Sequence, residues 1–357
     1  MNPVRRPRTI GVVLVALVAL AVAALLGATA GAAPKTKKDL VKVSVRLDFF
    51  HSEAHTGFLA TKDKGYWEKL GLDVVINPGA GSGSTVQQIA AGNDMIGWAN
   101  AVAMTQQVSK GADVIAIGSM RQLFDGGIAY WPDSGISKAT DLHGKTCAFT
   151  ASGFIALLFP VWAPKAGVDP TKINLRVTDA AAGSALFGAH QVDCLESTVV
   201  QAKNFYAPRN GVSPDIIRYS DVGMNPLGFV LIMNSRQARG NPGIATKFLR
   251  GLIQGWVWGC ANPRQAVTLA RTHFAAPAYD FDTGVNIWKT VCGLQRTANS
   301  KGMKLGATAL ADWNQTVALV RGAPSLGVQT NVPPPATLFT NVWIDNAWKG
   351  LKPIKGS

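Results

Sequence analysis

Residues 47–92, LDFFHSEAHTGFLATKDKGYWEKLGLDVVINPGAGSGSTVQQIAAG, decide the fold of this 357-residue chain. They read as a strand end, a loop, a helix, a second strand, and a Gly/Ser loop that opens a second helix. Gly65 ends the first helical stretch, and Gly71 supplies a left-handed stop after the turn at 66–70. Ser84-x-x-Gln87 has the spacing of a capping box, with Val86, Ile89 and Ala90 at helical spacing behind it. Two loops rich in aromatic, imidazole and hydroxyl groups therefore meet at one edge of a sheet. That edge is where open α/β sheets bind small molecules.

The same rhythm extends outward. Residues 41–47 (VKVSVRL) alternate as a strand, 95–98 form another, 100–110 a helix and 114–119 an apolar strand. This alternation predicts a parallel, doubly wound sheet. A second α/β unit follows: the strand in KTCAF, a helix over 152–166 broken by Pro160 and Pro164, the strand INLRV, a helix over 180–189 and the strand VDCLES. GFVLIMN then returns as an apolar strand. Asn241-Pro242 and Asn262-Pro263 each supply a cap with proline at the first helical position. Between them Phe248, Leu249, Leu252, Ile253, Trp256, Val257 and Cys260 make one wide apolar stripe. The second unit is thus an insertion in the first. Residues 34–131 and 223–357 make one lobe and 132–222 the other, with the chain leaving near Tyr130 and returning near Gly228. Two crossings make a hinge, and such hinges close around ligands.

Composition narrows the class. Arg5, Arg6 and Arg8, an unbroken apolar run over 10–26, and small residues at Ala28, Ala30 and Ala32 have the form of a secretory signal over residues 1–33. An uncleaved membrane anchor is the alternative; no cysteine near the cleavage point supports a lipid anchor. The leader implies a periplasmic or secreted protein. The net charge is +14, but only 16% of residues are charged and no dense basic run occurs. With no nucleic-acid-binding module, this describes a basic soluble protein and not a nucleic-acid binder. The four cysteines, Cys147, Cys194, Cys260 and Cys292, are an even count in an exported chain and allow three pairings. The local one, 147 with 194 and 260 with 292, keeps each bridge in one lobe.

Several blocks occur in order: KGYWEKLGLDVVI, GAGSGSTVQQIAAGNDMIGWAN, KGADVIAIGS, DLHGKTCAF, KFLRGLIQGWVWGCANPRQAV and TLFTNVWIDNAW. Together they resemble the solute-binding proteins of ABC importers in the nitrate/sulfonate/taurine and thiamine-pyrimidine-precursor superfamily, over about residues 40–348. The resemblance implies a type II periplasmic-binding-protein fold of class α/β, with two doubly wound lobes joined by a two-crossing hinge. It also implies a monomer that delivers a small molecule to an inner-membrane ABC permease, with no cofactor. DFFHSEAHTGF is most similar to the pyrimidine-precursor branch, where an aromatic residue and His-x-Gly follow the first strand; the expected ligand is a small planar heterocycle. A nitrate-, sulfonate- or taurine-type anion is the alternative. An exported enzyme is a third reading. The superfamily includes a eukaryotic pyrimidine synthase that consumes its own histidine and binds pyridoxal phosphate, but its cysteine-rich active-site run is missing here, and no catalytic residues are expected.

The expected ligand residues lie at strand ends. Asp48, Phe49, Phe50 and His51 follow the first strand; aromatic faces stack a planar ring, and Asp or His bonds its nitrogens, although one phenylalanine is expected in the core. His51, Glu53 and His55 recur at i, i+2, i+4, but no fourth ligand is visible, so no metal is expected and His55 is read as shaping the loop. Ser82, Gly83 and Ser84 offer backbone amides at a helix N-terminus, which suits an anion or simply a turn. Trp98, Asn100 and Gln122 end the next two strands. From the second lobe, Thr150, Ser152 and Gly153 open a helix that can offer N–H groups, and Glu196 is the carboxylate that either reads a cationic or amino-bearing ligand or forms a solvated or hinge ion pair.

Overall fold

Alternation builds the first sheet. In β1 (Val41–Arg46) the side chains of Val43 and Val45 are fully buried, with polar neighbours facing out. The computed structural model describes residues 40–151, 153–204, 212–274, 280–323, 326–328 and 330–351. The expected leader over 1–33 lies outside them, and both sheets belong to the compact unit Val41–Ser357. After β1 come α1 (Thr56–Asp63), β2 (Leu72–Asn77), α2 (Ser82–Ala90), β3 (Ile96–Asn100), α3 (Ala101–Ser109) and β4 (Val114–Arg121). The second sheet then begins with β5 (Gly126–Tyr130). It continues through β6 (Thr146–Thr150), α4 (Phe154–Lys165), β7 (Asn174–Thr178), α5 (Ala180–Gly188), β8 (Cys194–Thr198), α6 (Val199–Asn204) and β9 (Asp215–Arg218). β10 (Phe229–Asn234) returns to the first sheet, followed by α7 (Ser235–Gly240), α8 (Pro242–Ala261), α9 (Pro263–Arg271), α10 (Phe281–Cys292), α11 (Leu310–Arg321) and α12 (Val342–Trp348).

The sheets have strand orders β2-β1-β3-β10-β4 and β7-β6-β8-β5-β9. Neither is wholly parallel, as the β-α rhythm had suggested. β10 is antiparallel to β3 and β4, and β5 is antiparallel to β8 and β9. The cause is the insertion itself. A strand that arrives from the other sheet enters at the edge where the parallel strands end, so it must run the opposite way. Accordingly Phe229 pairs with Asn100 and Arg121, and Gly126 pairs with Thr198. The first crossing spans Gln122 to Asp125, a few residues earlier than Tyr130, because Gly126–Tyr130 pairs in the second sheet. The two crossings press together: Gly228 N–H donates to Gln122 O at 2.8 Å, and a Cβ at Gly228 would lie 2.6 Å from Arg121 O, so only glycine fits.

Local expectations differ in two places, the cap of α2 and the course of α4, while the cysteines pair locally as expected. α2 begins at Ser82 with Gly81 as its N-cap and no side-chain cap, so the Ser84–Gln87 box does not form. The Ser82 hydroxyl is instead engaged by Asn100 N–H at 3.0 Å. α4 runs through Pro160 and Pro164, both on its exposed side, where water satisfies the carbonyls that proline leaves unpaired. Cysteines 147 and 194 are bridged across the paired strands β6 and β8, and 260 and 292 across α8 and α10 with α9 between them.

The first sheet's core is aromatic. α8 lies against α1, and Trp256 packs edge-on to Phe58 and Trp288 at 5.8 and 5.1 Å. Trp67 stacks on Phe248 at 4.9 Å and donates its indole N–H to that residue's carbonyl. Among the described residues no helix is long and apolar enough to cross a membrane.

Candidate functional site

A cleft lies between the facing edges of the two sheets. On the first-sheet side, β1 delivers Leu47 to the core, and the chain then turns through Asp48 and Phe49 into the 3-10 turn Glu53–His55. The turn folds back so that His55 Nε2 meets Asp48 Oδ1 at 3.0 Å, while Nδ1 lies 3.3 Å from the Ser52 hydroxyl. With the carboxylate accepting from Nε2–H, Nδ1 accepts from Ser52, which fixes tautomer and ring orientation. The loop before α2 buttresses this turn: Gly79 N–H donates to Phe49 O at 2.8 Å and Gly81 N–H to Asp48 O at 2.7 Å.

On the second-sheet side, Glu196 projects from β8 to the N-terminus of α4. Its oxygens accept from Thr150 N–H at 2.5 Å and from Ala156 N–H at 2.8 Å. The carboxylate therefore occupies the place that a bound anion takes at a helix start. Burial pushes its carboxyl up to about 7, against the downward pull of the bonds from Thr150 and Ala156. Gly153 leaves room for this arrangement: a Cβ there would sit 2.6 Å from Glu196 Oε1 and push the carboxylate off its amides. Burial, with the nearby Glu196 charge, also holds the Tyr219 phenol well above its ordinary value, and its hydroxyl donates to Ile155 O.

The hinge forms the floor. Arg121, at the end of β4, donates to both oxygens of Asp125 at 2.6 and 2.7 Å, and its guanidinium lies 4.7 Å over the Phe229 ring. Asp125 in turn receives Val200 N–H on its side chain and Val199 N–H on its carbonyl, so the first crossing is tied to α6. Phe154 meets Phe229 edge-on at 5.3 Å.

Of the residues singled out in the sequence, Asp48, Phe49, His55, Ser82, Gly153 and Glu196 line this cleft together. Phe50 sits on its rim, 38% exposed, with its ring 4.5 Å from that of Phe49; neither of the two is core. His51 points away, towards the backbone of His273 and Ile76, and burial together with the neighbouring His55 lowers its pKa. Gly83 and Ser84 face a different groove with Gln87, Gln107 and Lys110. Trp98 does not line the cleft: it is buried on a strand covered on both faces and stacks behind Phe229 at 5.6 Å. Asn100 is the buried N-cap of α3, accepting from Val102 N–H, and Gln122 donates to Ala307 O behind the crossing. Ser152 lies outside the described residues. Sequence reasoning missed Arg121, Phe154, Gln201 and Phe229, all lining the cleft, and Asp125 beneath it. The Arg-x-x-x-Asp spacing at the end of the 114–121 strand was the one available signal. Among the described residues no group of three or more His, Cys, Asp or Glu is arranged to hold a metal.

The profile of a family described as NMT1/THI5 like matches residues 52–266. A putative thiamine biosynthesis protein of Haemophilus influenzae is 26% identical over 113 residues, 32% of this chain and 36% of that protein's length. The chain thus spans about a third of that relative. The alkanesulfonate-binding protein SsuA of Xanthomonas axonopodis pv. citri, bound to MOPS, superposes with a TM-score of 0.63 at 14% identity, covering 84% of this chain and 97% of SsuA. The periplasmic nitrate-binding protein NrtA of Synechocystis PCC 6803 gives 0.63 at 11% identity, covering 88% and 90%. These likenesses identify the fold as that of the periplasmic binding proteins.

Proposed function

The chain belongs to the NMT1/THI5-like family, and on that footing we propose that it is the extracytoplasmic solute-binding protein of an ABC importer. Acting as a monomer and without chemistry, it captures a small planar heterocycle bearing an amino or amidine group and hands it to the permease. The observation that carries this is the charge of the cleft. Asp48 and Glu196 bring carboxylates from opposite sheets, beside the rings of Phe49, Phe154 and Phe229. Among the described lining residues the one guanidinium, Arg121, is already engaged by Asp125. At the start of α4 the Ala156 amide is likewise taken by Glu196, whose carboxylate sits where an anion would bind. A cationic or amino-bearing ring complements what is left; a simple anion does not.

One observation favours a second reading. The nine-residue helix α2 has no side-chain cap, and Ser82 in its first turn lines the cleft. A sulfonate or carboxylate seated there, with an amine reaching Glu196, describes a taurine-type ligand.

A thermal-shift series separates them. At a hundredfold excess over its dissociation constant, the right ligand adds about 2.7 kcal/mol, a rise of roughly 5 °C for a chain of this size. Aminopyrimidines are expected to give that rise, and nitrate and simple alkanesulfonates none; the reverse pattern overturns the heterocycle reading, and turnover of the stabilising compound overturns the binding-protein reading. Lobe closure is checked by small-angle scattering, where saturating ligand is expected to reduce the radius of gyration; an unchanged profile counts against closure.

A further inference from the structure

The cleft opens on one side into a second, wider groove, and the two share Phe49, Thr150 and Ala180. The first sheet's loops supply Phe49 and Phe50 to this groove; the second sheet supplies Val177 at the end of β7 and Ala180 and Ala181 in the first turn of α5. The groove offers about 590 Å³ and the cleft itself about 90 Å³, so the cleft holds a head group of few atoms and anything larger must run out along the groove. The groove's walls are apolar where a solvent-facing surface needs no such residues. Val177 is 65% exposed and Phe50 38%. The acid in the wall, Asp179, is spent on capping α5, accepting from Ala182 N–H at 2.8 Å. The opposite outlet, which shares Gly153 with the cleft, is lined by Ser84, Gln87, Gln107 and Lys110 and suits water.

We infer that this groove is a subsite for an apolar substituent, so that the protein takes an amphiphilic ring compound. The amino-bearing head sits between Asp48 and Glu196, and an alkyl or aryl tail passes Phe49 and lies between Phe50 and Val177. Removing apolar surface from water drives such binding whatever the tail's exact shape, so the subsite selects for the presence and length of a tail more than for its identity. This inference rests on the cleft being a solute site for amino-bearing rings.

Calorimetric titration of the full chain tests it, with 4-aminopyrimidine and its n-butyl and n-hexyl derivatives substituted at carbon 2, 5 or 6 as probes. For one substitution position, affinity is expected to rise about threefold for each methylene that enters the groove. In Val177→Ser, and separately in Ala181→Asp, the gain is expected to shrink by about tenfold for the hexyl compound while the parent ring binds as before. Both positions are exposed, and an acid in the first turn of α5 suits the helix, so folding is retained. If the ring binds but no derivative binds tighter, or if the gain survives both substitutions, the subsite is overturned and the cleft reading stands. If neither ring nor derivatives bind, both fall together.

Discussion

Replacing Arg121 with methionine is expected to destabilise the protein by about 3–5 kcal/mol, the usual loss when one member of a buried ion pair is removed. The two side chains are 8% and 4% exposed, and Arg121 reaches both Asp125 oxygens. Without the guanidinium, Asp125 keeps only the long bond from Val200 N–H at 3.4 Å and remains a desolvated charge at the hinge. Phe229 loses the cation over its face as well. The double variant Arg121→Met, Asp125→Leu removes the stranded charge and is expected to recover most of the loss. Chemical denaturation of the two single variants and the double variant gives the coupling energy directly. A single variant within about 1 kcal/mol of the parent, the range of solvated surface pairs, would mean that water reaches the hinge and the pair holds nothing.

Glu196→Gln is expected to weaken binding of a cationic ring about 100-fold at pH 8, about 3 kcal/mol, by removing a charge-assisted contact in a buried site. It is also expected to abolish a pH dependence that the parent shows. In the folded protein the carboxyl titrates at about 7, above its ordinary 4.5. The ligand-free fold thus prefers the neutral acid. Its contribution to stability is fully present below pH 4.5 and is lost as pH rises through about 7, amounting to about 3 kcal/mol overall. A cationic ligand needs the carboxylate. Its affinity therefore rises from pH 5 to 8, with close to one proton released per ligand bound near pH 6. A permanently charged probe such as 4-amino-1-methylpyridinium keeps the ligand's own titration out of the measurement. Calorimetry at pH 5, 6, 7 and 8, in buffers of different ionisation enthalpy, reads both affinity and proton release. If the parent's affinity is flat over that range and the glutamine variant binds equally well, Glu196 serves only to cap α4.

The sequence made the architecture legible because each parallel β-α step carries its own punctuation, an apolar run closed by glycine or opened by a capping residue. β5 had no such mark. GGIAY is five residues with two glycines, and its strand character comes from pairing with β8 and β9 on both sides. β10 was legible as an apolar strand, but its antiparallel direction was not: direction is set by where a strand enters, not by its residues. Within the site, Asp48, Phe49 and His55 were legible because polar and aromatic groups crowd a loop just past a strand. Arg121 was not, since an arginine ending an apolar strand looks the same whether it meets solvent or a buried carboxylate. Trp98 misled for the converse reason. Every residue of β3 is buried, so alternation no longer tells a core face from a ligand face.

The place of β10 between β3 and β4 has a consequence for how the chain reaches its native state. β4 has no partner in its sheet until residue 229 arrives, and by then the whole second sheet has been synthesised. Apart from its late contact with Phe339, the apolar edge VIAIGSMR must wait unpaired through more than a hundred residues of chain growth. The first sheet therefore cannot be completed until β10 has been made, and long-range pairing of this kind is slow and prone to aggregation.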